Sequence, residues 1–243
     1  MTLIATAPET LSTRKHHVLA NGTGYYRTAY IGGVDVKEGP TCFLVEQAPN
    51  SIVEPHFHQA DQFQVFVAGE GTLGKHAIVP VVVHYVNAFT PYGPIKSHGD
   101  GIHYFTLRNG YDPGARFLPG AIKELPRIPR RHATSKPSPL GQGPGPSGTE
   151  WSNLLAGEPD DLAAYHVKLA SGHTQSVGGN GAAGGEFWVV LRGSLELGTK
   201  TLPAFSCLYR SAGEQRPVSH AGCEGAELVV LQFPVSNPKP DHG

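Results

Sequence analysis

Two histidines one residue apart, His56 and His58, open the stretch HFHQADQFQVFVAG, and Gln62 follows them by four residues. Alternate side chains of an extended strand share a face, so the two imidazoles would point the same way, about 7 Å apart. Neutral imidazoles at that spacing can chelate one divalent ion, and a glutamine carbonyl can add a third, uncharged donor. The competing chemistry is a polar cluster in which the same side chains hydrogen-bond one another without a metal. With 13 histidines in 243 residues, an isolated His-x-His carries little weight, and the residues around it must decide.

The elements that would position these groups read as strands. Short apolar and β-branched runs recur between Gly, Pro and Asn signals: TCFLVEQ, QFQVFVAG, AIVPVVVHYV, HYFTLRNG, AYHVKLASG, EFWVVLRGSLELG and AELVVLQFP. That spacing predicts an all-β protein of short antiparallel strands, a sandwich or a barrel. Only LLAGEPDDLAAY and AIKELPRI invite a short helix, and proline interrupts both. Between Leu125 and Thr149 proline and glycine dominate, which predicts a solvated linker.

The two sides of that linker repeat each other. Setting Gln62 on Glu186 puts Gly69 on Gly193, Leu73 on Leu197 and Gly74 on Gly198 without a gap, an offset of 124 residues. Such a period is too long for a solenoid and fits a duplicated module. Upstream, the second copy carries Asn180 and Ala182 where the first has its two histidines, so the metal reading applies to the first copy alone.

Composition narrows the partners. Lys+Arg (19) and Asp+Glu (20) nearly cancel, so no global field draws the chain to nucleic acid or an anionic membrane. Three widely spaced cysteines, Cys42, Cys207 and Cys223, argue against a disulfide framework, and no segment reads as a leader or a membrane span. The expectation is a cytoplasmic protein, with a homodimer as one arrangement.

His-x-His, three residues, Gln62, six residues, Gly69 resembles the first motif of the cupin superfamily, HxH, three or four residues, Glu, six residues, Gly. The resemblance covers residues 41 to 108 well and 163 to 233 loosely. It implies two tandem double-stranded β-helix barrels: a metal-binding one at 16–125, a linker at 126–149 and a degenerate one at 150–243. It also implies one divalent ion (Fe, Mn, Ni or Zn) held by His56, His58 and Gln62. Gln62 departs from the family's carboxylate and would make the ion more electrophilic toward an anionic ligand.

The family's second motif, P-x-G-x-x-H, then three residues and N, falls on Pro91-Tyr92-Gly93, with Lys96 at the histidine position and Asp100 at the asparagine. Lys96, as a cation for a substrate carboxylate or enolate, and Gln64 are the catalytic candidates. His98 keeps the strand parity of Lys96 and is the preferred fourth ligand, followed by His76; His84 and His103 sit in apolar runs. The function this implies is a metal-dependent enzyme on a small organic substrate, anionic in one version, with a dioxygenase of an enolisable or aromatic compound first. A sugar-acid isomerase or lyase, or a non-catalytic binder, is the alternative.

Overall fold

In the computed structural model, residues 1–32, 37–141, 147–158, 160–175 and 184–235 are described. The chain is all-β, as the strand spacing predicts. Among the described residues the helices are the four-residue Ala7–Thr10 and two 3-10 turns, Leu11–Thr13 and Ile122–Glu124. The second of these lies in AIKELPRI; the described part of LLAGEPDDLAAY contains no helix. Among the described residues no helix is long and apolar enough to cross a membrane.

Among the described residues a two-stranded sheet pairs His56–Phe57 with Arg116–Phe117, and two large antiparallel sheets hold the chain. One has nine strands, with Val82–Val86, Gln62–Leu73, Ile95–Arg108, Thr41–Gln47 and Gly24–Ile31 side by side. The other has eight, with Cys207–Arg210, Glu186–Leu197, Ser219–Gln232 and Ala163–Leu169 in the corresponding order.

Strand parity explains why these strands are apolar on both faces. From Gln62–Leu73, the residues Phe63, Val65 and Val67 join a core that also contains Phe187, Val189, Leu191 and Phe233 of the other half. Phe66 and Leu73 instead pack inside the first half, with Tyr104 and Ile102. Trp188, Val190 and Leu228 fill the inside of the second half. There are thus two interiors and one shared interface. Phe63, Val65, Phe187 and Phe233 are fully buried in that interface. At about 1.5–3 kcal/mol for each side chain, their burial helps hold the two halves together.

The 126–149 stretch is more attached than a solvated linker would be. His132–Thr134 adds a strand to Val82–Val86, and Ser138 bonds across to His166. Residues before 16 also cross over: Thr2–Ala5 pairs with Cys207–Arg210 in the far half. The glycine that closes the repeated motif has a steric cause. Gly69 has φ +76°, and a Cβ there would lie 1.9 Å from the Gly101 carbonyl oxygen; Gly193 stands in the same relation to Gly225, at 2.0 Å.

Candidate functional site

The site lies inside the first half, at the end where Gln62 begins its strand. His56 and Tyr92 face each other through two backbone hydrogen bonds, His56 N to Tyr92 O at 3.1 Å and Tyr92 N to His56 O at 3.0 Å. Gln62 is flanked in register by Val86 and Arg108, and Gln64 by His84 and Thr106. Gln62 and Gln64 therefore look inward, beside Arg108, His84 and Thr106.

The hydrogen bonds fix the protonation of each group. His56 Nδ1 lies 2.7 Å from the Glu54 carbonyl oxygen, which can only accept, so Nδ1 carries the proton. Its Nε2 then accepts from the Tyr92 hydroxyl at 2.9 Å. Tyr92 in turn accepts from the Gln62 amide nitrogen at 2.8 Å. His58 Nδ1 donates to the Asp112 carboxylate at 2.7 Å. Arg108 Nη2 lies 3.2 Å from both ring nitrogens of His58, of which only Nε2 has a lone pair to offer. The same guanidinium gives two hydrogen bonds to Gln62 Oε1, at 2.9 and 2.7 Å, and reaches Asp112 at 3.4 Å.

Burial dominates the titration of this cluster. It pushes His56 down to about 3, helped by neighbouring His58, and His58 down to about 4, helped by the Arg108 charge, so both rings are neutral near pH 7. Burial also raises the Tyr92 phenol, and the Gln62 hydrogen bond offsets only part of that rise. For Asp112 burial pushes upward, yet the His58 hydrogen bond and the Arg108 charge outweigh it, and the carboxylate is held below its ordinary range.

Beside the cluster opens a cavity of about 190 Å³, lined further by Tyr25, Arg27, Gln64, Tyr104 and Thr106. Gln64 Oε1 is buried there without a hydrogen-bond partner. A larger hollow, about 630 Å³, lies by Asp61, Tyr85 and Arg131, outside the histidine cluster.

The structure brings His56, His58 and Gln62 together and places Gln64 on the cavity wall. It does not bring Lys96 or His98 to them. Both are exposed on Ile95–Arg108, because Ile95 and Ser97 take the inward parity and turn their even-numbered neighbours to solvent. His76 pairs with Leu73 across the Gly74-Lys75 turn and not with Gln64, so it too stays outside. His103 pairs with Glu46 and Ala68, and is half-buried. His84 does face Gln64; its Nδ1 bonds Thr134 and its Nε2 is buried without a partner. Asn180 and Ala182 lie outside the described residues.

Sequence reasoning missed Tyr92, Arg108 and Asp112. The second motif was laid four residues too late. Laid on Asn87–Tyr92, it puts Phe89, with φ +57°, in the glycine slot and Tyr92 in the histidine slot, opposite His56. The repeat contained that signal: 124 residues on, Gly213 has φ +76° and Arg216 stands at the Tyr92 position.

The donor set as it stands does not fit a resident divalent ion. Each inward lone pair already has a donor: Tyr92 on His56, Arg108 on His58 and on Gln62. An ion bound to those atoms would sit within a few ångströms of a guanidinium, a strong repulsion inside a protein. Among the described residues no three His, Cys, Asp or Glu side chains gather as a metal-binding group.

No protein-family profile and no curated protein sequence matches the chain. Solved structures do. A dioxygenase candidate from Nostoc punctiforme aligns with TM-score 0.66 at 12% identity, over 98% of this chain and 85% of that one. A bacterial pirin from Escherichia coli, in complex with nickel(II), aligns with TM-score 0.56 at 11% identity, over 97% and 100%. Oxalate decarboxylase from Bacillus subtilis aligns with TM-score 0.57 at 11% identity, over 96% and 76%. These are cupin-fold proteins. The chain has the cupin fold. At such identities the likeness stops at the fold, and the chemistry must come from the residues described above.

Proposed function

We propose that the protein binds a compact polar organic molecule in its first cupin half and promotes proton transfer on it, an isomerase- or lyase-type reaction. The observation that carries this reading is the cavity wall: Gln64 Oε1 is buried and unpartnered, two residues from a cluster whose other polar groups are satisfied. A buried acceptor of that kind calls for a ligand donor. The proton-handling pair is His56 and Tyr92, a neutral imidazole and a hydroxyl 2.9 Å apart, both on the cavity wall. His58, Asp112 and Arg108 hold the floor in place. Exchange of the α-proton of 2-oxo acids and 1,3-diketones for deuterium, followed by NMR on chelator-treated protein, tests the reading. Exchange should be lost in Tyr92→Phe while ligand-induced thermal shifts persist. Binding without exchange in the native protein would make it a carrier and remove the catalytic half of the proposal.

A metal-dependent dioxygenase is the second reading, favoured by one observation. Both histidines anchor Nδ1–H on an oxygen and turn Nε2 inward, as metal-binding histidines do. His56, His58 and Gln62 would hold the iron, manganese, nickel or zinc, and Arg108 and Tyr92 would have to leave them. Elemental analysis of the purified protein by mass spectrometry, with oxygen uptake on a diketone and phenol panel, separates the two readings.

A further inference from the structure

Among the described residues Arg27 is a cation without an acidic partner. It stands on Gly24–Ile31, with its guanidinium carbon 4.0 Å from the centre of the Phe43 ring. Its Nε is buried and has no hydrogen-bond acceptor, and no ion pair forms to it among the described residues. Arg108 approaches the same Phe43 ring, at 5.3 Å, and both arginines line the 190 Å³ cavity. Among the described residues no aspartate or glutamate lines it. Asp112 neutralises Arg108 from behind, through the 3.4 Å contact, and leaves the charge of Arg27 uncompensated. Arg27 as a whole is half-buried, and its Nε is the part shut off from water without an acceptor. Partial desolvation of a cation without a counter-ion carries a cost, which an anion arriving with the ligand offsets.

We propose that the cavity is a site for a small hydroxycarboxylate, bound by Arg27 with no metal, and that the Arg108 guanidinium permanently holds the seat that an ion would take. This deepens the functional reading above and rests on it. Arg27 recognises the carboxylate, which suits the planar fork of a guanidinium. Gln64 recognises the hydroxyl, which can both give to the amide oxygen and accept from its nitrogen. The ligand must be compact, because the cavity is smaller than the few hundred Å³ typical of larger ligand sites.

The test is calorimetric titration of the full chain, treated with chelator, with lactate and glycolate, with lactamide as the neutral counterpart and propionate as the ligand lacking the hydroxyl. Lactate should bind at least tenfold tighter than lactamide, and propionate should fall between them. Arg27→Met should abolish the preference for the anion. The same variant should melt no lower than the native protein when ligand-free, since it removes an unpaired charge, and lactate should no longer raise its melting temperature. Equal binding of lactate and lactamide, a clear loss of stability in ligand-free Arg27→Met, or lactate binding only after nickel or manganese is added would each overturn the proposal. Neutral ligands that bind and exchange their α-protons would leave the functional reading standing while this one falls. Absence of binding by any of the four probes would remove this proposal, and failure of the deuterium-exchange test on 2-oxo acids and 1,3-diketones would remove the functional reading.

Discussion

The two halves of the molecule share a fold and a repeat, and differ in what they put inside. At the constant offset of 124 residues, Gln64, His84, Tyr104 and Thr106 of the first half become Trp188, Leu208, Leu228 and Val230 of the second. Those four are buried and apolar in the second half. One strand end keeps its polarity in both halves, with the charge rearranged. The first half has neutral Gln62 beside Val86, Tyr92 and Arg108; the second has Glu186 beside Arg210, Arg216 and Gln232. Glu186 Oε1 accepts from Trp188 Nε1 at 2.6 Å and from Arg216 Nε at 3.1 Å, and Arg216 also bridges Oε2. The second half has therefore closed its centre on itself with a buried ion cluster. The first has kept a polar interior that a ligand can complete.

The largest expected effect follows from the closed centre. Glu186→Ala strands Arg210, which is fully buried, and Arg216 without their carboxylate. Breaking a buried ion pair from one side costs about 3–5 kcal/mol, and urea unfolding should show a loss of that size. Gln62→Ala in the first half removes a neutral group and should cost about 1–3 kcal/mol. Equal losses would erase the contrast drawn between the two centres.

Acid should separate the halves next. Burial, with the His132 charge adding to it, depresses His84 to about 3 from an unfolded value of 6.5. The unfolded chain therefore takes up a proton as the pH falls below about 6.5, and the folded chain does not until about pH 3. Stability due to this group is complete above that window and declines through it toward acid. His84→Leu copies the second half at Leu208 and should remove the penalty, about 2 kcal/mol at pH 5, with little change at pH 7. Urea midpoints at the two pH values measure it. An unchanged pH slope would mean that His84 is not held neutral by burial.

A smaller effect is expected when the first centre is made to resemble the second. Gln62→Glu puts a carboxylate beside Arg108, the arrangement Glu186 already has with Arg216. The pair should form without gain of metal affinity, and an anionic ligand should bind about tenfold more weakly, close to 1.4 kcal/mol, because the cavity loses one positive charge. Chelator competition checks the first outcome and titration with a carboxylate the second. A rise in divalent-metal affinity would instead favour the reading in which Gln62 is a ligand.

The all-β class and the His56, His58, Gln62 grouping were legible because strand periodicity and the motif are local patterns. Phe63 and Val65 alternate with Gln62 and Gln64 in the sequence, and the structure keeps that alternation, one set toward the shared core and one toward the cavity. Arg108 and Asp112 were not legible, since an arginine at a strand end and an aspartate in the next loop carry no motif. They reach the histidines only through the register of Ile95–Arg108 with Gln62–Leu73, a long-range pairing. Tyr92 was hidden by the Pro91-Tyr92-Gly93 tripeptide, which imitates the motif's Pro-x-Gly four residues past the place where Phe89 takes a positive φ.

The smallest expected effect is also the sharpest check on where the site ends. Lys96 and His98 lie on the strand that carries Thr106 and Arg108, so strand membership alone cannot exclude them. Parity and the bulge between Ser97 and Ile102 do: Ile95 packs into the first half's core, Ser97 bonds the Ala48 carbonyl oxygen at 2.5 Å, and their neighbours point to solvent. Exposed side chains without buried partners change stability by about 0.5 kcal/mol or less. Lys96→Ala and His98→Ala should thus leave the melting temperature, the metal content and carboxylate affinity at native values. Arg27→Met, a cavity-lining change of the same net charge as Lys96→Ala, should alter carboxylate affinity strongly. If Lys96→Ala weakened carboxylate binding as much as Arg27→Met, long-range charge and not the cavity wall would be selecting the anion, and the polar interior that distinguishes the first half would lose its assigned role.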